Sequence, residues 1–159
     1  MRRVIFIDDD PALRDAVCLQ LGFAGLRVDA YADAADGLRA ILLAQPDLVL
    51  LDLMLPGFSG LEVLHALKGD PATRLIPVLV LSGRADAAAL AEVMRLGAAG
   101  FLNKPLTSRL LLEGVLGELV AQDCLPVSAL RDALRRLDEV QALPWAVAPD
   151  ARGSRRASA

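Results

Sequence analysis

Three observations predict an α/β fold, a doubly wound five-stranded parallel sheet with helices on both faces. Short aliphatic runs at residues 4–7, 48–51 and 77–81 have the continuous apolar character of strands buried on both sides. Stretches of helical periodicity lie between them, each bounded by capping residues or by glycine and proline. Strand and helix alternate through five rounds, and right-handed crossovers then place helices over both faces of a parallel sheet.

The elements follow in order. Val4-Ile5-Phe6-Ile7 ends in three aspartates, and Pro11 opens a helix carrying Leu13, Val17 and Leu21 up to Gly22. Residues 26–31 form a second strand, and Asp33 caps a helix through Leu38, Ile41 and Leu42 that stops at Gln45-Pro46. The third strand runs from Leu48 into Asp52, after which Pro56, Gly57 and Gly60 break the chain and a helix spans roughly 59–68. The fourth strand covers 77–81 and its helix about 86–96, stopped by Gly97; Gly100-Phe101-Leu102 is a short fifth strand. Helix five ends near Ala121. The strand order 2-1-3-4-5 is expected, which sets strands one and three side by side at the topological switch point, where such sheets bind ligands beyond their carboxyl ends.

At 159 residues the chain suits one domain with some surplus, divided here into a main domain over 1–122, an amphipathic helical extension over 123–143 and a polar, basic tail over 144–159 that is expected to be disordered. Hydrophobic residues make up 55% of the chain and aromatics only 4%, so aliphatic side chains must fill the core. A net charge of -3 and a pI near 5.1 give no electrostatic reason to bind nucleic acid. Cys18 and Cys124 match neither a metal spacing nor a disulfide framework, and no apolar run is long enough to span a bilayer. A soluble, cytoplasmic protein is expected.

Asp8, Asp9 and Asp52 all reach the crevice of the predicted sheet. Clustered carboxylates repel one another unless a cation neutralises them, and an all-oxygen site open to solvent suits Mg²⁺. Strands four and five end in Ser82-Gly83 and Lys104-Pro105, which bring a hydroxyl and an ammonium to the same edge. Acids with a metal, a lysine and a hydroxyl make a receptor for a phosphoryl group, and the Asp52 carboxylate can itself attack phosphorus. Asp10, just before Pro11, reads as a helix cap before it reads as a third acid of the site. His65, the one histidine, falls on a solvated helix away from the strand ends.

These residues resemble the receiver domain of two-component response regulators. The resemblance rests on Ile7-Asp8-Asp9-Asp10, Leu51-Asp52-Leu53-Met54-Leu55-Pro56-Gly57 with Gly60, Leu81-Ser82-Gly83, Gly97-Ala98 and Lys104-Pro105, and covers roughly residues 3–121. It implies a flavodoxin-like fold, Asp52 as phosphoacceptor and Asp8 and Asp9 as the acidic pair. By the same resemblance Asp9 binds Mg²⁺ directly, Asp8 acts through water, and the backbone carbonyl of Met54 completes the protein ligands. Lys104 contacts the phosphoryl oxygens, Ser82 is the switch hydroxyl with room left by Gly83, and Phe101 stands where the family carries a rotating aromatic. The partners implied are a histidine kinase or phosphotransfer protein and a downstream protein. A degenerate receiver serving as a scaffold, and a Mg²⁺-dependent phosphatase resembling the haloacid dehalogenases through Asp8 and Asp10, are the alternatives.

Beyond the motifs, helix five carries one apolar face of Leu111, Leu112, Val115, Leu116 and Leu119. A second stripe of small and apolar residues, Leu106, Leu110, Gly114, Gly117 and Ala121, is either a packing groove or an unselected surface. After Pro126, Ser128 is expected to cap a sixth helix in which Leu130, Ala133, Leu134, Leu137 and Val140 recur and Asp132 and Arg136 form an i,i+4 pair. That helix and the glycine stripe are expected to share an interface, within the chain or in a homodimer. About 38 residues follow helix five, too few for a familiar DNA-reading domain. Output through protein binding or self-association is expected.

Overall fold

The computed structural model describes residues 1–83 and 86–143. Five strands, β1 (Arg3–Ile7), β2 (Arg27–Tyr31), β3 (Leu48–Asp52), β6 (Val78–Ser82) and β7 (Gly100–Asn103), form one parallel sheet in the order β2-β1-β3-β6-β7. This is the predicted order, with β6 and β7 as its fourth and fifth strands. A hairpin of two-residue strands, β4 (Met54–Leu55) and β5 (Phe58–Ser59), lies between β3 and the next helix and was not anticipated. Its turn uses Gly57 at φ 73°, a conformation costly for any residue with a Cβ.

The helices are α1 (Pro11–Phe23), α2 (Ala34–Ala44), α3 (Gly60–Gly69), α4 (Ala87–Arg95), α5 (Ser108–Ala121) and α6 (Val127–Gln141). Alternation along the strands divides the core in two. On one side Phe6, Leu50, Leu79 and Leu81 pack with Val17 and Leu21 of α1 and Leu111, Val115 and Leu119 of α5. On the other, Ile5, Val49, Leu51 and Val80 meet Ile41 of α2, Val63 and Leu64 of α3 and Val93 of α4. Each such side chain contributes about 1.5–3 kcal/mol by leaving water, so the two layers fix the sheet and with it the strand ends.

Local chemistry sets the helix starts. Asp10 accepts from the Ala12 and Leu13 N–H groups at 3.0 and 3.3 Å, Asp33 from Asp36 N–H at 2.9 Å and Asp86 from Ala89 N–H at 2.6 Å. The cap assigned to Asp10 is therefore present. Ser59 and Glu62 form a reciprocal capping box at α3.

Helix α6 packs on α5 within the same chain, joined to it by a short linker. Cys124 N–H donates to Leu119 C=O at 2.8 Å, Arg2 Nε donates to Cys124 C=O at 2.7 Å, and an Arg109–Asp138 ion pair ties the start of α5 to the last turn of α6. The two helices thus run antiparallel. Leu130, Ala133, Leu134 and Leu137 are half-buried against the α1/α5 core.

Three expectations for this region are corrected. The Gly114 Cβ position faces the Leu102 side chain of β7 at 2.9 Å, and nothing lies within 4 Å of the Gly117 position, so the glycine stripe does not receive α6. A Cβ at Gly114 would press on the methyl ends of Leu102, which would have to shift to admit it. Pro126 occupies the α6 cap position with no side-chain cap hydrogen bond, and Ser128 sits inside the first turn. Asp132 pairs with Arg135 at 3.5 Å, one residue short of the Arg136 partner expected. Residues 144–159, expected to form a disordered tail, lie outside the described residues.

Candidate functional site

The carboxyl ends of β1, β3, β6 and β7 bring Asp8, Asp52, Ser82 and Lys104 to one edge of the sheet. Asp8 follows β1 and is held there by its own N–H, which donates to Tyr31 C=O at 3.1 Å. Continued by one residue, the alternation that turns Phe6 and Leu50 toward α1 and α5 turns Asp8 and Asp52 the same way. Both are buried, at 0% and 3% exposure, whereas Asp9 is exposed at the rim. One carboxylate oxygen from each of Asp8, Asp9 and Asp52 lies within 4.8 Å of the other two. The three acids expected to converge do so.

Lys104 answers two of them. Its Nζ donates to Asp8 Oδ2 at 2.8 Å and lies 3.3 Å from Asp52 Oδ2. The remaining oxygens are also engaged: Asp8 Oδ1 accepts from Asp10 N–H at 2.9 Å and Asp52 Oδ1 from Met54 N–H at 3.1 Å. Lys104 is itself placed by its backbone N–H, which donates to Ser82 C=O at 2.9 Å. The peptide bond to Pro105 is cis.

The electrostatics follow from this crowding. Burial pushes the Asp52 carboxyl above the usual aspartate range; the Met54 N–H opposes it, the Asp8 charge adds to it, and Lys104 offsets part of the rise. Burial would lower the Lys104 pKa, but the hydrogen bond to Asp8 and the charges of Asp52 and Asp8 outweigh it and hold the ammonium above the usual lysine value. The site is a partly neutralised acid cluster with a poised cation.

Ser82 is buried at the end of β6, its register partner on β7 being Asn103. Phe101 lies opposite Val80, two residues back, so Ser82 and Phe101 share the sheet face that packs on α3 and α4. Phe101 is half-buried in that layer. Gly83 is exposed, with open space at its Cβ position. The Met54 side chain is exposed at the base of the hairpin, and His65 is exposed on α3, clear of the site.

Two positioning roles escaped the sequence reading. Arg14 donates from Nη1 to Asp8 C=O at 2.8 Å and fastens α1 to the acidic edge; a lone arginine on a helix carries no sequence signal for that contact. Gly60, which in the sequence reads only as a chain break and a motif residue, has the other. A Cβ there would stand 2.5 Å from both the Asp52 carbonyl oxygen and the Leu53 Cα, and its N–H donates to Leu53 C=O at 3.0 Å. Backbone cannot rotate aside as a side chain can, so Gly60→Ala is expected to destabilise the fold by about 1–3 kcal/mol. The loss is read from the denaturant midpoint; an unchanged midpoint would show that the loop after Asp52 is not packed this closely.

Comparison with known proteins agrees with the geometry. A profile described as the response regulator receiver domain matches residues 4–116, and the chain belongs to that family. Receiver domains are signalling phosphoacceptors of two-component systems, and phosphorylation and Mg²⁺ binding at an acidic pocket are general features of the family. The dual master transcriptional regulator RpaA of Synechocystis is 36% identical over 129 residues, covering 81% of this chain and 54% of that protein. The C4-dicarboxylate transport regulator DctD of Pseudomonas aeruginosa is 38% identical over 113 residues, covering 71% of this chain and 24% of that one. The chain therefore spans about half or less of the length of these curated relatives. Among solved structures, Vibrio cholerae CheY4 superposes with a TM-score of 0.70 at 27% identity, covering 74% of this chain and 98% of CheY4. Among the described residues no helix is long and apolar enough to cross a membrane.

Proposed function

We propose that this receiver accepts a phosphoryl group on Asp52 from the phosphohistidine of a histidine kinase or phosphotransfer protein, and that the change controls protein binding or self-association. The observation that carries the proposal is the Asp52 carboxylate, buried at the end of β3 with Lys104 Nζ 3.3 Å away and the Asp8 and Asp9 carboxylates beside it. In the transfer an Asp52 oxygen forms the new bond to phosphorus, and the P–N bond breaks with its electron pair going to the donor imidazole. Lys104, 3.3 Å from Asp52, would face the equatorial oxygens that carry the charge.

The chemistry of the donor set fits Mg²⁺: three carboxylates, hard oxygen ligands, one of them at an open rim. Asp9 would hold the ion directly, Asp8 through water, and Asp52 and the Met54 carbonyl would complete the protein share. When bound, the ion neutralises the acid cluster and charge on the phosphoryl group. Ser82 would then hydrogen-bond to the arrived phosphoryl group, with Phe101, on the same sheet face, following it. A haloacid-dehalogenase-like reading would need Asp8 and Asp10 to work as a pair, but Asp10 is committed to the α1 cap and Asp8 to Lys104. The completeness of the acid, lysine and hydroxyl set favours a phosphorylated receiver over a degenerate scaffold.

Asp9→Ala tests the metal arm. Because Asp9 is exposed and its removal relieves carboxylate repulsion, the variant should fold as stably as the parent while its Mg²⁺ affinity falls tenfold or more, roughly the 1.4 kcal/mol or greater that one charge-assisted ligand supplies. Isothermal titration with Mg²⁺ reads the result, and parent-like affinity would remove Asp9 from the ligand set. Turnover of small phosphoesters by the parent would instead favour the phosphatase reading.

A further inference from the structure

The inner face of α6 is spent on α5, yet the end of the helix leaves a cavity uncovered. Among the described residues, a groove of about 580 Å³ opens between the last turns of α1 (Gln20, Phe23, Ala24), the start of α5 (Ser108, Leu112) and the second half of α6, including Leu137 and Val140. Its floor and walls are mostly apolar. Phe23, 77% exposed, and Val140, 56% exposed, stand among its lining residues. Two large apolar side chains left in water on facing helices mark an incomplete contact.

The chain itself continues from this place. Val140 lies one residue before the end of α6, and the next apolar run after Leu143 is Pro144-Trp145-Ala146-Val147-Ala148, which contains the one tryptophan of the chain. Trp145 lies five positions after Val140, enough for a reach of up to about 17 Å when extended. Pro144 disfavours a helical conformation in the residue before it, which agrees with α6 ending at Gln141. The residues after 148 change character, with Arg152, Arg155 and Arg156 among glycine, serine and alanine, so the apolar content of the segment is concentrated within groove range.

We propose that segment 144–148 of the same chain occupies the groove, with the Trp145 indole against the Phe23 ring and beside Val140. An indole fits this role: it covers a wide apolar area, pairs favourably with a second aromatic edge-to-face or offset, and keeps one N–H for the polar rim, where Gln20, Ser108 and Glu139 offer acceptors. Occupation would bury Phe23 and Val140 together, so that the last turn of α6 is held at its apolar flank as well as at its Arg109–Asp138 ion pair. It is a use of the chain beyond phosphoryl acceptance and does not depend on Asp52.

Because Trp145 is unique, its fluorescence in the whole protein reads the contact directly. The expected result is a blue-shifted emission maximum and weaker acrylamide quenching than for N-acetyl-tryptophanamide, both unchanged on dilution and with a monomeric mass. Phe23→Asp and Val140→Asp, at exposed positions where the fold itself is not at risk, should each return emission and quenching to the free values while circular dichroism shows α6 intact. Parent emission already at the free value would overturn the proposal, as would protection that survives both substitutions. Protection that disappears on dilution together with a dimeric mass would overturn it in favour of a groove filled by a second copy.

Discussion

Lys104→Ala is expected to lower the stability of the metal-free protein by about 2–3 kcal/mol, on the order of 5–10 °C in melting temperature. Lys104 is the cation that faces Asp8, which has no exposure to water, and it also lies 3.3 Å from Asp52. Removing one partner of a buried pair leaves the other charge uncompensated, which costs more than the pair itself was worth; the figure is set at the low end because a quarter of the lysine side chain remains in water. The sign of the pH effect follows from the raised Lys104 pKa. A cation held above its ordinary value contributes stability that is fully present below the unfolded pKa near 10.5 and is lost as pH rises through the higher folded value. The gap between parent and variant should therefore close in strong alkali. Mg²⁺ at the acid cluster should narrow it at neutral pH, by supplying the charge that the lysine no longer does. Thermal melts with and without Mg²⁺ measure both effects; a variant as stable as the parent in the metal-free state would mean that Lys104 does not neutralise the cluster.

Asp52→Asn should abolish labelling by a small acyl phosphate while making the metal-free fold more stable at neutral pH. The first half follows from the acceptor role, since an amide offers no carboxylate to form the acyl phosphate. The second follows from the raised Asp52 pKa. A carboxyl whose folded pKa lies above its unfolded value near 3.8 adds stability below 3.8, and that contribution is lost as pH rises through the folded value. At pH 7 the ionised side chain is thus a cost, one that asparagine removes; every tenfold difference in proton affinity between the folded and unfolded chain corresponds to about 1.4 kcal/mol. The stability advantage of the variant should vanish in acid below pH 3.8. Denaturation at pH 7 and at about pH 3.5 reads the sign, and a variant less stable than the parent at pH 7 would show that Lys104 and the Met54 N–H outweigh burial.

Much of the sheet and site is legible in the chain alone. Strands buried on both faces leave uninterrupted aliphatic runs, aspartates at 10, 33 and 86 mark helix starts because each side chain caps an N–H, and the acids and lysine fall at strand ends. What escaped depends on tertiary neighbours. Helical spacing puts Gly114 and Gly117 near one face of α5 but cannot say that Leu102 of β7 comes up against Gly114 while Gly117 faces open space. The α6 stripe was legible; its docking on the flank tied by Arg109 and Asp138 was not, because that ion pair joins residues far apart in the chain. The two-residue strands β4 and β5 are too short to show a period. The closer partner of Lys104 is Asp8, at 2.8 Å, which no ordering of motifs along the chain could reveal.

The proposed switch rests on Asp52 being the residue phosphorylated. Treating the parent with acyl phosphate and Mg²⁺, reducing the acyl-phosphate adduct with borohydride and mapping the product by peptide mass spectrometry locates the acceptor. The expected product is a single Mg²⁺-dependent modification, at Asp52 and converted there to homoserine; modification at Asp8, Asp9 or any other residue with Asp52 untouched would contradict the assignment.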